Sequence, residues 1–161
     1  MGPEKVMGPE KVRRKILAIS SGGGHWVQLC RLRAAFCDCD VVYASVDPIY
    51  AEDVPGQRLY IVCNATRRDK FALPVLVAQL FLILLRERPE VVVTTGAAPA
   101  LIALALAKLV FRSRTIWIDS IANCEHLSTS GALARKFSDA WLTQWPQLAR
   151  TDGPEYWGAV L

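Results

Sequence analysis

Six short apolar runs separated by longer stretches of helical patterning constrain this chain more than any other feature of it. Lys15 to Ser20, Asp40 to Ser45, Arg58 to Cys63, Glu90 to Thr95, Thr115 to Asp119 and Ala140 to Thr143 read as strands. Their residues are apolar at successive rather than alternating positions, so both faces need covering and the sheet is expected to be parallel. Helical patterns fall between them at Trp26 to Phe36, Pro74 to Arg86, Pro99 to Phe111 and Ser130 to Phe137. The expected architecture is α/β: a Rossmann-like parallel sheet with helices on both faces. Val46 to Gln57 contains Pro48, Pro55 and Gly56, too broken for a crossover helix, and reads as a surface loop with at most one helical turn.

The hexapeptide Met1 to Val6 recurs as Met7 to Val12, so residues 1–12 read as a duplicated segment outside the fold and 13–161 as one domain. A composition 52% hydrophobic and 21% charged excludes disorder. The net charge of +4 is spread over Arg13, Arg14 and Lys15, Arg67, Arg68 and Lys70, Arg112 and Arg114, and Arg135 and Lys136. That distribution suits phosphates or anionic lipid headgroups; without a nucleic-acid reader motif, nucleic acid is not expected as a partner. Five cysteines form no disulfide framework and follow no signal peptide, which points to a reducing cytoplasm. Cys37-Asp38-Cys39 lacks the second pair a zinc site needs, so no metal is expected there. No run reaches the roughly 20 apolar residues that span a bilayer. Phe71 to Leu85, however, is apolar around nearly its whole circumference, and such a helix must bury more than one stripe. It lies either in a membrane interface, with Arg67, Arg68, Lys70, Arg86 and Arg88 at the headgroups, or sandwiched in the core or against a partner.

In a parallel sheet, ligands gather beyond the carboxyl ends of the strands. Three such ends carry chemistry. Ser20-Ser21-Gly22-Gly23-Gly24-His25 joins the first strand to the first helix, and its glycines let the backbone approach a ligand. The N–H groups opening that helix favour phosphate. His25, at the positive end of the helix dipole, is favoured as a neutral ring that takes a proton as a general base; donating to a phosphate and simple capping are the other readings. Thr94-Thr95-Gly96-Ala97-Ala98-Pro99 repeats the logic at the fourth strand. Asp119, ending the fifth, either orients a sugar hydroxyl, fixes a histidine tautomer, or caps the next turn. His126 reads as an exposed loop residue.

In this order the loops resemble those of the acceptor-side half of GT-B glycosyltransferases. The likeness is strongest to the oligosaccharide-biosynthesis subunits that pair with a separate donor-binding chain, one such pair building dolichol-linked chitobiose. It rests on Ser21-Gly22-Gly23-Gly24-His25 with Gln28-Leu29, Arg88 to Gly96, Ile118-Asp119-Ser120 and Leu142-Thr143-Gln144-Trp145-Pro146. The layout is also similar to that of the lipid-linked muropeptide N-acetylglucosaminyltransferase. By this resemblance Ser21, Gly22, Gly23, Gly24, Thr95 and Gly96 bind the acceptor's diphosphate, and His25 and Asp119 are catalytic; many relatives carry glutamate at the Asp119 position. The resemblance implies an acceptor-binding subunit of a two-chain inverting transferase, inactive alone, that uses a UDP-sugar held by its partner and a polyprenyl-diphosphate-linked saccharide. No cofactor or metal is expected, since helix N-termini stabilise the diphosphate. A second nucleotide-sugar domain and an N-terminal anchor are expected to be missing, which implies peripheral attachment at the cytoplasmic membrane face and Tyr156 to Leu161 as a partner-docking segment. The alternatives are a non-catalytic scaffold that activates a transferase, and a dinucleotide-binding Rossmann module, which would want G-x-G-x-x-G where this chain has Ser20 to His25.

Overall fold

The computed structural model describes residues 13–65 and 71–160. The duplicated segment 1–12 and the cations Arg67, Arg68 and Lys70 lie outside the described residues.

Seven parallel strands form one sheet: β1 (Lys15–Ile19), β2 (Asp40–Ser45), β3 (Arg58–Ile61), β4 (Val91–Thr94), β5 (Arg114–Ile118), β6 (Ala140–Thr143) and β7 (Glu155–Tyr156), in the order β3-β2-β1-β4-β5-β6-β7. The helices are α1 (Gly24–Arg31), α2 (Ala72–Glu87), α3 (Ala98–Leu106) and α4 (Thr129–Ala134). Right-handed crossovers place a helix on one face when the chain moves one way across the sheet and on the opposite face when it moves the other way. The step from β1 to β2 and the steps from β3 to β4 and onward run in opposite senses, so α1 lies alone on one face and α2, α3 and α4 share the other. The change of direction falls between β1 and β4, where a crevice opens at the carboxyl ends of the strands.

The α2–α4 side holds the larger core, in which Leu17, Val42, Val92 and Trp117 meet Leu76, Leu80, Leu84, Ala103 and Leu104. On the opposite side Trp26 and Leu29 of α1 cover Ala18, Val41 and Tyr43. A third apolar patch, Ile16, Val93, Ile118 and Leu142, has Leu32 and Phe36 packed beside it. Here a cavity of about 320 Å³ separates the sheet from the terminal segment Trp157 to Val160.

Several boundaries differ from the sequence reading for local reasons. The expected helix Trp26 to Phe36 is α-helical only to Arg31, then tightens into a 3₁₀ turn, Leu32–Phe36. Pro48–Asp53 forms the short helical turn of the broken loop, with the Asp47 side chain accepting from the Ile49 N–H. The long helical pattern from Pro99 ends in a π-helical turn, Ala107–Phe111, closed by Arg112 in the left-handed conformation. The apolar α2 buries one stripe within the chain and turns a second one outward. Leu76, Leu80, Ile83 and Leu84 are buried, while Val75, Leu82 and Leu85 lie on the outward stripe, because α3 and the sheet cover one side only.

Candidate functional site at the β1–β4 crevice

The turn after β1 is built for close approach. Ser20 donates its hydroxyl to the Ser21 carbonyl (3.0 Å), which also accepts from the Ser45 hydroxyl (3.3 Å). Gly23 is the N-cap of α1 at φ 64°, a conformation that glycine supplies without strain. The Gly23 N–H donates to the Tyr50 hydroxyl at 2.8 Å. From Gly24 onward the opening N–H groups of α1 have no intrahelical acceptor, as at any helix start.

The turn after β4 locks onto this loop. Thr94 and Thr95 are fully buried; the Thr94 hydroxyl accepts from the Gly96 N–H (3.0 Å) and the Thr95 hydroxyl donates to the His25 carbonyl (2.6 Å). In return Nδ1 of His25 lies 2.9 Å from the Thr95 carbonyl. A carbonyl only accepts, so Nδ1 carries a proton, and in the neutral ring the lone pair is on Nε2. Gly96 sits at φ 118°, and a Cβ there would fall 2.9 Å from the His25 ring. The loops at β1 and β4 therefore meet directly, bringing Gly23, Gly24, His25, Thr95 and Gly96 together, with α1 and α3 both opening at this crevice.

Asp119 is placed differently. Its carboxylate, 1% exposed, accepts from Trp117 Nε1 (3.3 Å), Asn123 Nδ2 (3.1 Å), and the Ser128 N–H (3.0 Å) and hydroxyl (2.7 Å). Ser128 in turn caps α4 through the Gly131 N–H at 2.8 Å. Asp119 thus organises the 120–128 loop, and the tautomer-fixing partner of His25 is the Thr95 carbonyl. His126 is exposed in that loop, as expected.

Two glutamines join this third loop to the first. Gln28 donates to the Gly24 carbonyl and the Ser120 hydroxyl (both 3.2 Å) and accepts from the Ile121 N–H (3.1 Å) and Gln144 Nε2 (2.6 Å). Gln144 also donates to the Asp119 carbonyl (2.9 Å) and accepts from the Val160 N–H (2.8 Å). All four hydrogen-bonding positions of the buried Gln28 amide are used, the condition under which such a network rigidifies its surroundings. Gln28 and Gln144 both stand in the stretches on which the family resemblance rests, and the structure adds that Gln28 lies on the buried face of α1. Tyr50, in a broken loop, gave no sequence signal.

The family "Oligosaccharide biosynthesis protein Alg14 like" matches residues 68–160. The UDP-N-acetylglucosamine transferase subunit ALG14 of Eremothecium gossypii is 26% identical over 180 residues, covering 92% of this chain and 80% of that protein. The subunit of the same name from Yarrowia lipolytica is 34% identical over 83 residues, covering 47% of this chain and 38% of its own. Acinetobacter baumannii MurG has the same fold over 89% of this chain and 45% of its own, with TM-score 0.71 and 11% identity. UDP-N-acetylglucosamine 2-epimerase from Rickettsia bellii follows at TM-score 0.65 and 13% identity, over 84% of this chain and 40% of its own. The chain spans less than half the length of these two solved structures.

Proposed function

This chain belongs to the Alg14-like family of oligosaccharide biosynthesis proteins, and on that premise we propose that it is the acceptor-binding subunit of a two-chain inverting glycosyltransferase. The partner brings a UDP-sugar, UDP-N-acetylglucosamine by analogy with the similar UDP-N-acetylglucosamine transferase subunits. This chain holds a polyprenyl-diphosphate-linked saccharide in the β1–β4 crevice. Ser21 to Gly24 with Thr95 and Gly96 form the diphosphate cradle, using helix-opening N–H groups aimed at negative charge. The Nε2 lone pair of His25 takes the acceptor hydroxyl's proton as that oxygen bonds to the anomeric carbon, and the bond from that carbon to UDP breaks, with UDP leaving on the partner. Asp119 supports the acceptor through the 120–128 loop.

The single observation that carries this reading is the reciprocal bonding of His25 and Thr95, which fixes a base-competent tautomer between two glycine loops. The deciding experiment reconstitutes the chain with its donor-binding partner and measures transfer to a short-chain polyprenyl-diphosphate acceptor. His25→Ala is expected to lower kcat by about 10²–10⁴-fold with complex assembly intact. Turnover at the wild-type level would instead make this chain a scaffold for a transferase whose catalytic groups lie on the partner.

We place the chain peripherally at the cytoplasmic membrane face. The outward stripe of α2 (Val75, Leu82, Leu85) is exposed, and so are Leu109 and Val110 of the π turn. The Phe81–Phe111 ring contact at 5.5 Å joins the two segments. Arg14, Arg88, Arg112 and Arg114 line a cavity of about 470 Å³ beside Phe111, a basic margin suited to anionic headgroups. Among the described residues no helix is long and apolar enough to cross a membrane.

A further inference from the structure

Tyr50 sits over the first glycine loop, outside the motifs that mark the crevice. Its ring stacks on Trp26 with centroids 4.7 Å apart and planes 23° apart, and Nε1 of Trp26 is tied to Asp53 at 2.8 Å. A Cβ on Gly22 would fall 2.5 Å from the Tyr50 hydroxyl and 3.4 Å from its ring, so the absent side chain at position 22 is what admits the tyrosine. The hydroxyl accepts the Gly23 N–H at 2.8 Å, and its own proton has no acceptor among the described residues. A phenol that accepts one bond still has a hydrogen to give.

We propose that Tyr50 is a substrate-contacting wall of the diphosphate cradle, its fixed hydroxyl donating to an acceptor phosphate oxygen beside Gly23. The stacking on Trp26 and the packing on Gly22 hold the hydroxyl in place before substrate arrives, so little ordering is needed on binding. The proposal rests on the acceptor-binding reading above, and it adds a side-chain donor to a cradle otherwise made of backbone.

The test uses the reconstituted two-subunit enzyme, a short-chain polyprenyl-diphosphate acceptor, and inorganic pyrophosphate as a competing probe. Y50F keeps the ring and loses the hydroxyl; the acceptor KM and the pyrophosphate inhibition constant should each rise about tenfold or more, with kcat within about twofold. Unchanged values overturn the proposal. Lowered values also overturn it, because they would show the hydroxyl competing with phosphate for the Gly23 N–H. Wild-type enzyme that neither uses the diphosphate acceptor nor responds to pyrophosphate would overturn the acceptor-binding reading itself, and Tyr50's role with it. Should Y50F melt early, all constants are read at a temperature where it stays folded; G22A supplies a second arm, since its Cβ displaces the tyrosine hydroxyl. G22A should raise the acceptor KM in the wild-type background and add little in the Y50F background; equal effects in both would refute the assignment.

Discussion

Ala97 adopts φ 84° and ψ 158°, a region of backbone space that essentially only glycine enters without strain. It follows Gly96 at φ 118°, so two successive residues bend the chain sharply between β4 and α3 and set the second loop against His25. The strain at Ala97 is of order 1–3 kcal/mol and is held by the surrounding bonds: Thr94 to Gly96, Thr95 to His25, and the Leu101 N–H to the Ala97 carbonyl. Ala97→Gly removes the strained Cβ and adds about 0.4–1 kcal/mol of unfolded-chain entropy against folding. A net gain of about 1 kcal/mol is expected, read as a rise of a few degrees in Tm. A fall in Tm would show that the conformation is not strained. The positive φ at an alanine left no trace in the sequence, where Thr95-Gly96-Ala97-Ala98 is legible only as a loop of small residues.

Glu87 closes α2 and ties that helix to two strands. Arg58 reaches it from β3 at 2.8 and 3.0 Å, Lys15 from β1 at 3.3 Å, and the Tyr60 hydroxyl donates at 2.6 Å. Arg58 and Lys15 are in turn paired with Asp40 of β2. Burial alone would raise the Glu87 pKa, but the Tyr60 hydrogen bond and the two cations outweigh it and hold the carboxyl below its usual range. As the pH falls from roughly 4.3, the unfolded chain takes up this proton before the folded one does. The contribution of Glu87 is therefore complete above that pH and is lost as the pH drops through the lowered folded value. Asp139 contributes with the same sign: burial alone would raise its pKa, but bonds from Lys108 and Thr115 outweigh it and hold the carboxyl below its usual range. Glu87→Gln should cost about 1–2 kcal/mol at neutral pH, discounted because Arg58 is half-exposed, and should flatten the stability curve between about pH 5 and pH 3. Denaturant titrations across that range measure both effects; an unchanged slope would remove Glu87 from acid unfolding. Element order was legible because six strands are continuous apolar runs. β7, the pair Glu155–Tyr156, was not, because two residues form no pattern and their pairing with β6 is a tertiary choice.

Across the whole molecule, topology places the two glycine loops side by side, since β1 and β4 are neighbours only through the reversal of strand order. The loops themselves were legible as glycines before helices. Their contact was not, because His25 and Thr95 are 70 residues apart and meet through one ring nitrogen, one hydroxyl and two carbonyls. The same topology leaves α2 at the outside of a two-layer face, which turns a helix apolar all round into one with a buried and an exposed apolar stripe. Leu82 and Leu85, 61% and 45% exposed, belong to the exposed one. Replacing both with glutamine leaves Leu76, Leu80, Ile83 and Leu84 in the core, so stability should change by no more than about 0.5 kcal/mol per site. Binding to vesicles containing anionic phospholipid should weaken by about tenfold or more, because each leucine placed in an acyl boundary contributes on the order of 1 kcal/mol. The residual binding should then become more salt-sensitive as the arginine margin carries a larger share of it. Flotation of the wild-type and doubly substituted chains with such vesicles, at low and at physiological salt, reads both effects. Equal flotation of the two proteins would assign the exposed stripe of α2 to a protein partner instead of the bilayer.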